Sequence, residues 1–314
     1  MGKIPVVIDC DPGIDDIAAL LLARQVEHFD IKAVTTVAGN VRLDQTTKNA
    51  LELLCFMEWD IPVGRGAEKP LTRPLVSAEE IHGADGMGGV CLPKTTRIPA
   101  TEPAWDLLYR LGRQNPGMLE IIAVGPLTNI AVALAKYPDL PGLISRIVIM
   151  GGAFLAGNTT AAAEFNMYVD PEAARRVFTS GIPFYLCPLD LTHECYITRE
   201  ELSKVGEFGS SCAQLFRDIL LGYYDVASAD IGGKGAALHD PAAVLFAAYA
   251  TTDQNLFTYE QCFIDVETQG ALTRGRTVTD CYSDKQLDNN GYLVQTVNRQ
   301  AFIGHIDNLM KMYT

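Results

Sequence analysis

The sequence predicts an α/β protein built around a mainly parallel sheet. Short apolar runs rich in β-branched residues recur along the 314 residues, and segments of helical composition lie between them. Gly, Pro and Asp cluster at the boundaries between the apolar runs and the helical segments. Buried parallel strands show such continuous apolar runs. A βαβα succession produces parallel pairing through right-handed crossovers. We therefore expect an open, twisted sheet flanked by helices, with a site at the carboxyl ends of its strands.

The first strand is predicted at Ile4–Ile8, and the helix Asp15–Arg24 follows it with acidic residues in its first turn, where the helix dipole favours them. Asp170 before Pro171 predicts another helix start, with Asp as N-cap and Pro at the first helical position. The remaining predicted strands are Ile31–Val37, Ile61–Val63, Leu119–Val124, Arg146–Met150, Pro183–Cys187 and Cys262–Val266. The remaining predicted helices are Asp44–Met57, Leu127–Lys136, the helical region Thr198–Gly235 and a final helix at the C-terminus.

One region, Gly64–Thr101, is rich in Gly and Pro and has no clear period. A long irregular stretch inside a compact domain is usually functional, as a lid or a binding loop. No Pro/Ser-rich linker and no internal repeat interrupts the chain. We therefore expect residues 1–314 to form a single domain.

The net charge of −13 argues against a nucleic-acid partner and against an anionic membrane surface. The longest apolar stretches, Ile17–Ala23 and Ala242–Ala250, are far shorter than a membrane-spanning helix, and no export signal is present. The eight cysteines include no C-x-x-C pair, so we expect reduced thiols in a cytoplasmic protein.

Four carboxylates lie within eight residues at the end of the first predicted strand: Asp9, Asp11, Asp15 and Asp16. Ligands of open α/β sheets bind at this end of the strands. A capped helix would need one Asp only, and four like charges raise one another's pKa unless a cation compensates. All-oxygen ligands favour Ca²⁺ or Mg²⁺. This turn is therefore a candidate metal site.

A second signal is the run from Leu238 to Pro241. Asp240 as N-cap and Pro241 at the first helical position account for two of these residues without chemistry. His239 is left over, and a His beside a metal-capable Asp can orient a ligand or give a proton near neutral pH. Two weaker clusters are Gly157–Thr160 with Glu164–Asn166, which can hydrogen-bond a polyhydroxylated ligand, and Ile81–Gly86, whose His82 lies in the Gly-rich region.

Together these motifs resemble the inosine–uridine-preferring nucleoside hydrolase family over essentially the whole chain. In family order they are DCDPGIDD from Asp9, TTVAGN (Thr35–Asn40), IHG (Ile81–Gly83), GPLTNIA (Gly125–Ala131), MGG (Met150–Gly152), GN with AEFN (Gly157–Asn158 and Ala163–Asn166), DPEAA (Asp170–Ala174) and HDP (His239–Pro241). Ile14 and the VAGN run resemble its broad-specificity ribonucleoside hydrolase branch. The resemblance implies Ca²⁺-dependent hydrolysis of purine or pyrimidine ribonucleosides to ribose and free base, in nucleoside salvage, by a homodimer or homotetramer.

The resemblance also implies a role for each motif residue. Asp11 would be the general base, His239 and His82 would serve the leaving base, and Asp9 would support the site from behind. The implied metal ligands are Asp11, Asp16, the main-chain carbonyl of Thr128, and Asp240. The implied ribose-binding residues are Asp15, Asn40, Asn158, Glu164 and Asn166, with Met150 packed near the sugar.

Two alternatives stay open from the residues alone. An apolar strand ending in D-x-D also begins the site of haloacid-dehalogenase-like phosphohydrolases, and a ribose- or nucleoside-binding module would use the same polar clusters without turnover. The sequence also departs from the family pattern. Some members carry an aromatic residue about a dozen positions before the HDP motif, whereas Val226–Ala229 occupies that stretch here, with Tyr223 and Tyr224 just upstream.

Overall fold

The computed structural model describes residues 2–229, 231–281 and 287–313. In this part of the chain, nine strands form one sheet, and two short strands form a separate antiparallel pair, β7 (Tyr196–Ile197) with β8 (Ala236–Ala237). The nine strands are β1 Ile4–Cys10, β2 Phe29–Thr36, β3 Val63–Arg65, β4 Leu119–Ala123, β5 Ile144–Met150, β6 Phe184–Cys187, β9 Phe257–Val266, β10 Thr277–Asp280 and β11 Gly291–Val297.

The sheet order is β10-β9-β11-β6-β5-β4-β1-β2-β3. All neighbours from β11 to β3 pair in parallel, whereas β9 pairs antiparallel with both β11 and β10. The predicted α/β fold with a mainly parallel sheet is therefore confirmed. The antiparallel strands β9 and β10 extend this parallel sheet at one edge.

Helices cover both faces of the sheet. They are α1 Ile14–Arg24, α2 Leu43–Phe56, α3 Glu79–His82, α4 Ala104–Gln114, α5 Thr128–Lys136, α6 Phe165–Val169, α7 Pro171–Phe178, α8 Leu189–Thr192, α9 Arg199–Gly206, α10 Ser211–Ala229, α11 His239–Tyr249 and α12 Arg299–Lys311. Side chains alternate along β1, so Val6 and Ile8 join the core beneath α1, α2 and α9–α12, whereas Val7 joins the core beneath α4, α5 and α7. The sheet is thus buried on both sides.

Several boundaries differ from the sequence-based expectations. The predicted strand Ile61–Val63 forms at Val63–Arg65, and α4 and β11 were not predicted. The region Gly64–Thr101 is mostly irregular, as expected, but contains the short helix α3. The predicted N-cap role of Asp240 is wrong: α11 already begins at His239, with Leu238 as its N-cap. No helix in the described ranges combines the length and the apolar character that a bilayer crossing needs.

The strand order places a topological switch point beside β1. From β1 the chain moves outward through β2 to β3, and then returns to the opposite side of β1 as β4. Loops that leave the carboxyl ends of β1 and β4 therefore diverge and open a crevice, which is where open α/β sheets bind ligands.

Candidate active site

A cavity of about 200 Å³ opens at this crevice. Two of the predicted site residues, Asp16 and Thr128, do not line it. The predicted residues that do line it are Asp11, Asp15, Asn40, His82, Met150, Asn158, Glu164, Asn166, His239 and Asp240. Residues from widely separated parts of the chain thus converge on one pocket, as the order of the motifs suggests.

The turn between β1 and α1 is held by its own acidic side chains. The carboxylate of Asp16 folds back and accepts hydrogen bonds from the main-chain N–H groups of Asp11 (3.0 Å) and Gly13 (2.9 Å). Asn40, from the loop after β2, donates its main-chain N–H to Asp11 (2.6 Å) and its side-chain amide to Asp16 (3.0 Å). Asn40 therefore fixes both carboxylates as well as lining the cavity.

Two glycines enclose Asp11. A Cβ built at Gly39 would overlap one carboxylate oxygen of Asp11, and a Cβ built at Gly125 would lie 2.6 Å from the other. The backbone therefore approaches both sides of this carboxylate more closely than any larger residue would allow. The side chain of Asp11 is 1 % exposed and has a single, sterically defined position.

Four carboxylates at this site carry raised pKa values: Asp11, Asp16, Glu164 and Asp240. Burial, reinforced by the charges of neighbouring carboxylates, raises the pKa of Asp11 and Asp240 well above the usual range. Burial and the charge of Asp15 raise the pKa of Asp16 to about 7, despite the main-chain hydrogen bonds that it accepts. Burial also raises the pKa of Glu164 to about 7. Raised pKa values of this kind indicate carboxylates that lie close together and out of water, where a bound cation would stabilise their charged forms.

The arrangement fits a bound divalent cation. Carboxylate oxygens of Asp15, Asp16 and Asp240 lie within 4.8 Å of one another. No Lys or Arg is found among the described residues that line the cavity, so no side chain supplies the missing positive charge. Clustered carboxylates without nitrogen or sulfur donors favour Ca²⁺ or Mg²⁺ over zinc or copper.

Behind the turn, Asp9 is fully buried on β1. It accepts hydrogen bonds from Thr35 Oγ1 (2.5 Å) and Asn129 Nδ2 (2.8 Å), while its second oxygen has no hydrogen-bond partner among the described residues. Burial raises its pKa to about 6, and the two hydrogen bonds limit the rise. Asp9 therefore lies beneath the acidic turn and not in the cavity lining.

Glu164 and Asn166 form a second wall of the cavity. Glu164 is the N-cap of α6 and accepts hydrogen bonds from the N–H groups of Asn166, Met167 and Gly152 at 2.9–3.1 Å. The amide of Asn166 donates to the main-chain oxygens of Val124 (2.8 Å) and Met150 (3.2 Å). This wall is therefore fixed by hydrogen bonds to β4 and β5 before any ligand binds.

Two histidines also line the cavity. His239 is 8 % exposed, and its Nδ1 lies 2.7 Å from the hydroxyl of Thr192 on α8. His82 is also 8 % exposed, and its Nδ1 accepts the main-chain N–H of Ile14 at 3.2 Å. Burial lowers the pKa of His82. Both rings are thus held through Nδ1 at the edge of the pocket.

Thr128 lies outside this cavity. It is the first residue of α5, its hydroxyl donates to Asp170 (2.7 Å), and it lines a separate depression next to Gly66 and Trp105. Val124, directly after β4, lines the cavity instead. From the sequence, Val124 was predicted only as the last residue of the strand Leu119–Val124.

Tyr223 is the aromatic residue that α10 brings to the pocket. Its ring lies nearly parallel to that of His82, with centroids 6.0 Å apart. Tyr224 points elsewhere and stacks under the guanidinium of Arg199 at 4.2 Å. The structure therefore distinguishes two adjacent tyrosines that the sequence alone left equivalent.

Comparison with known proteins agrees with this geometry. The family model described as inosine-uridine preferring nucleoside hydrolase matches residues 6–304. The pyrimidine-specific ribonucleoside hydrolase RihA from Salmonella arizonae is 38 % identical over 312 residues, which cover 99 % of this chain and 99 % of that protein. RihA from Photobacterium profundum is 41 % identical over 302 residues, which cover 95 % of this chain and 96 % of that protein.

Solved structures give the same result. A plant nucleoside hydrolase, PpNRh1, superposes with a TM-score of 0.91 at 32 % identity. A purine-preferring ribonucleoside hydrolase from Gardnerella vaginalis superposes with a TM-score of 0.90 at 28 % identity. Each match covers 98 % of this chain and 99 % of the other.

Proposed function

Because the chain belongs to the inosine-uridine preferring nucleoside hydrolase family and is a ribonucleoside hydrolase, we propose that it acts on pyrimidine ribonucleosides with Ca²⁺ bound at the acidic turn. The observation that carries the proposal is the cluster of carboxylates in a cavity where no Lys or Arg is found among the described lining residues. The pyrimidine preference rests on relatives 38–41 % identical that are named pyrimidine-specific. The purine-preferring neighbour is more distant, at 28 %.

The proposed metal ligands are Asp11, Asp16 and Asp240, with Asp15 within reach of the last two. For the main-chain ligand we propose the carbonyl of Val124 in place of that of Thr128, because Val124 lines the cavity and Thr128 does not. A bound Ca²⁺ would supply Lewis-acid activation of water and a fixed point for the ribose hydroxyls.

Asp11 is proposed as the general base. One of its oxygens is occupied by the N–H of Asn40, and the enclosing glycines prevent the carboxylate from rotating away. Asp11 lines the cavity, so its carboxylate is placed to take a proton from the attacking water. Fixing the base also reduces the entropy lost on reaching the transition state.

The sugar is proposed to bind between the acidic turn and the Glu164 wall. Cleavage of the N-glycosidic bond leaves positive charge on the ribose, and a carboxylate-rich pocket stabilises an oxocarbenium-like sugar. Direct contacts to the ribose hydroxyls would also discriminate against 2′-deoxynucleosides. The residues proposed to contact the ribose are Asp15, Asn40, Asn158, Glu164 and Asn166, with Met150 packed beside it.

His82 and His239 are proposed to serve the departing base. Negative charge develops on the base as the bond breaks, and a positioned imidazole N–H can stabilise it. Both rings line the same cavity as the acidic turn, with Tyr223 beside His82.

One assay tests the proposal. Release of reducing sugar is measured from uridine, cytidine, inosine and adenosine, with EDTA, with added Ca²⁺ and with added Mg²⁺. We expect release that EDTA abolishes and Ca²⁺ restores, fastest with uridine and cytidine. Faster release from inosine would contradict the pyrimidine preference, and release unaffected by EDTA would contradict the metal site. Phosphate release from uridine monophosphate without free base would indicate the phosphohydrolase alternative.

We further propose a homodimer or homotetramer that works in cytoplasmic nucleoside salvage. The assembly rests on the family resemblance, and the location rests on the eight cysteines, none of which forms a disulfide in the described part of the chain. Light scattering of the purified protein after size-exclusion chromatography would test the assembly, and a monomeric mass with full activity would contradict it.

A further inference from the structure

A main-chain amide of the acidic turn holds one of the two pocket histidines. The N–H of Ile14, the first residue of α1, points at Nδ1 of His82 at 3.2 Å, a contact between residues 68 positions apart. The first N–H groups of a helix have no partner within it. The helix that carries Asp15 and Asp16 thus uses one of its unpaired donors to bind the ring.

This contact determines where the proton of His82 lies. A main-chain N–H can only donate, so Nδ1 must accept and a neutral ring must carry its proton on Nε2. A ring turned by 180° would place a carbon atom against the amide and lose the hydrogen bond. Burial, which lowers the pKa of His82, favours the same neutral form.

The rest of the loop reinforces the position. Asn49 Nδ2 donates both to the main-chain oxygen of Pro12 (3.0 Å), in the acidic turn, and to that of Asp85 (2.8 Å), three residues after His82. Tyr223 lies alongside the ring, inclined by 16° to it. These contacts therefore fix the plane of the imidazole, the direction of its Nδ1 atom and its distance from the acidic turn.

We propose that the amide of Ile14 is a positioning group that holds His82 as the Nε2–H tautomer and directs this N–H toward the departing base. The inference rests on the proposed role of His82 in leaving-group stabilisation. Under it, His82 donates a hydrogen bond to the base from a neutral ring, and the same turn that holds the carboxylates at the ribose also orients the donor at the base.

The amide can be removed by one substitution. Pro lacks the N–H and is favoured at the first helical position, and Gly13 before it has ψ −161°, the extended conformation that a residue before proline requires. Ile14→Pro therefore deletes the donor and puts the proline Cδ where the N–H points, so the His82 ring must also move. Because the Ile14 side chain is buried, Ile14→Ala is the matched control: it loses the same packing and keeps the N–H.

For uridine, we expect kcat of Ile14→Pro to fall about tenfold below that of Ile14→Ala, the worth of one well-placed hydrogen bond, with little change in KM. With p-nitrophenyl riboside, whose leaving group needs no donor, the two variants should be equal. They should also be equal on uridine in a His82→Ala background, because the amide acts only through the ring. Equal rates on uridine with His82 present, or the same loss on p-nitrophenyl riboside, would overturn the proposal.

A measurement on the unmodified Ca²⁺-loaded enzyme avoids any doubt about folding of the proline variant. Selective ¹⁵N labelling of His and long-range ¹H–¹⁵N correlation report the tautomer, with the His82 signals assigned by their loss in His82→Gln. We expect the proton on Nε2 and an unprotonated Nδ1, and a proton on Nδ1 would overturn the proposal. If the enzyme released no ribose from any nucleoside, the proposed function would fail, while this spectrum would still answer the tautomer question.

Discussion

The Asp-Pro pair occurs at two helix starts with opposite consequences. Asp170 is the N-cap of α7, and its carboxylate accepts hydrogen bonds from the N–H groups of Ala173 (3.0 Å) and Leu71 (2.8 Å) and from the hydroxyl of Thr128 (2.7 Å). Asp240 lies one residue inside α11 and faces the acidic turn. One carboxylate is surrounded by donors, whereas the other is surrounded by negative charge.

The pKa values express this contrast. Burial raises the pKa of Asp170, and hydrogen bonds to Thr128, Leu71 and Ala173 oppose the rise. Burial and the charges of Asp15 and Asp16 act in the same direction on Asp240 and raise its pKa well above the usual range. The same dipeptide therefore stabilises the fold at one site and stores unfavourable charge at the other, which indicates ligand binding at the second.

The largest effect should come from Asp240→Asn. Removing one carboxylate from the acidic cluster should lower kcat/KM for uridine by about a thousandfold or more, because metal affinity and the orientation of the sugar depend on it. The matched variant Asp170→Asn should stay within about threefold of wild type, since Asp170 does not line the cavity. Steady-state ribose release measures both, and comparable losses would remove the distinction between the two carboxylates.

The same substitution, Asp240→Asn, should have a smaller effect of opposite sign on the stability of the metal-free protein, which it should increase. A carboxyl whose folded pKa is raised binds more protons in the folded than in the unfolded state, so its contribution to stability falls as pH rises above its unfolded value, near 4. In EDTA, Asp240→Asn should therefore raise the melting temperature at pH 7.5, by several degrees, and by less at pH 5. Thermal unfolding at both pH values tests this; a lower melting temperature at pH 7.5 would contradict it.

Asp170→Ala should cost stability without changing chemistry. It removes the cap of α7 together with the anchors of Thr128 and Leu71, and we expect a loss of about 2 kcal/mol in the free energy of unfolding. Urea unfolding in Ca²⁺ measures the loss, and kcat/KM at 25 °C provides the control. A collapse of activity in the folded variant would show that Asp170 acts on the site.

The smallest effect is expected for Thr128→Val. This nearly isosteric change removes only the hydroxyl that donates to Asp170, so stability should fall by about 1 kcal/mol. The Ca²⁺ concentration for half-maximal activity should not change, because the side chain faces a different depression. A shift in that concentration would show that the Thr128 hydroxyl acts on the metal site.

The sequence predicted much of this molecule because its motifs follow strands that end side by side. The parallel sheet and the acidic turn could be predicted from apolar runs and from Asp spacing, and the capping role of Asp170 is confirmed. The sequence did not reveal that Val124, the last residue of the predicted strand Leu119–Val124, lines the cavity. It also did not reveal the amide of Ile14, because a main-chain donor leaves no residue pattern.

The Asp-Pro pairs at the starts of α7 and α11 show the other limit. Local sequence predicts an N-cap at both Asp170 and Asp240, and the prediction is wrong for Asp240. What distinguishes them is the surroundings: α11 packs against β5 and α1, which brings Asp240 to carboxylates more than 220 residues earlier in the chain. Contacts of that separation follow from topology, and capping rules carry no information about them.

The glycines that enclose Asp11 have a consequence for how such an enzyme can diversify. At Gly39 and Gly125 even a methyl group meets the carboxylate, so the backbone beside the proposed metal site admits no larger residue. Tyr223 on α10 and His82 on α3 line the pocket through their side chains instead. Under the proposed function, new base preferences can therefore arise at these side chains while the backbone around Asp11 stays fixed.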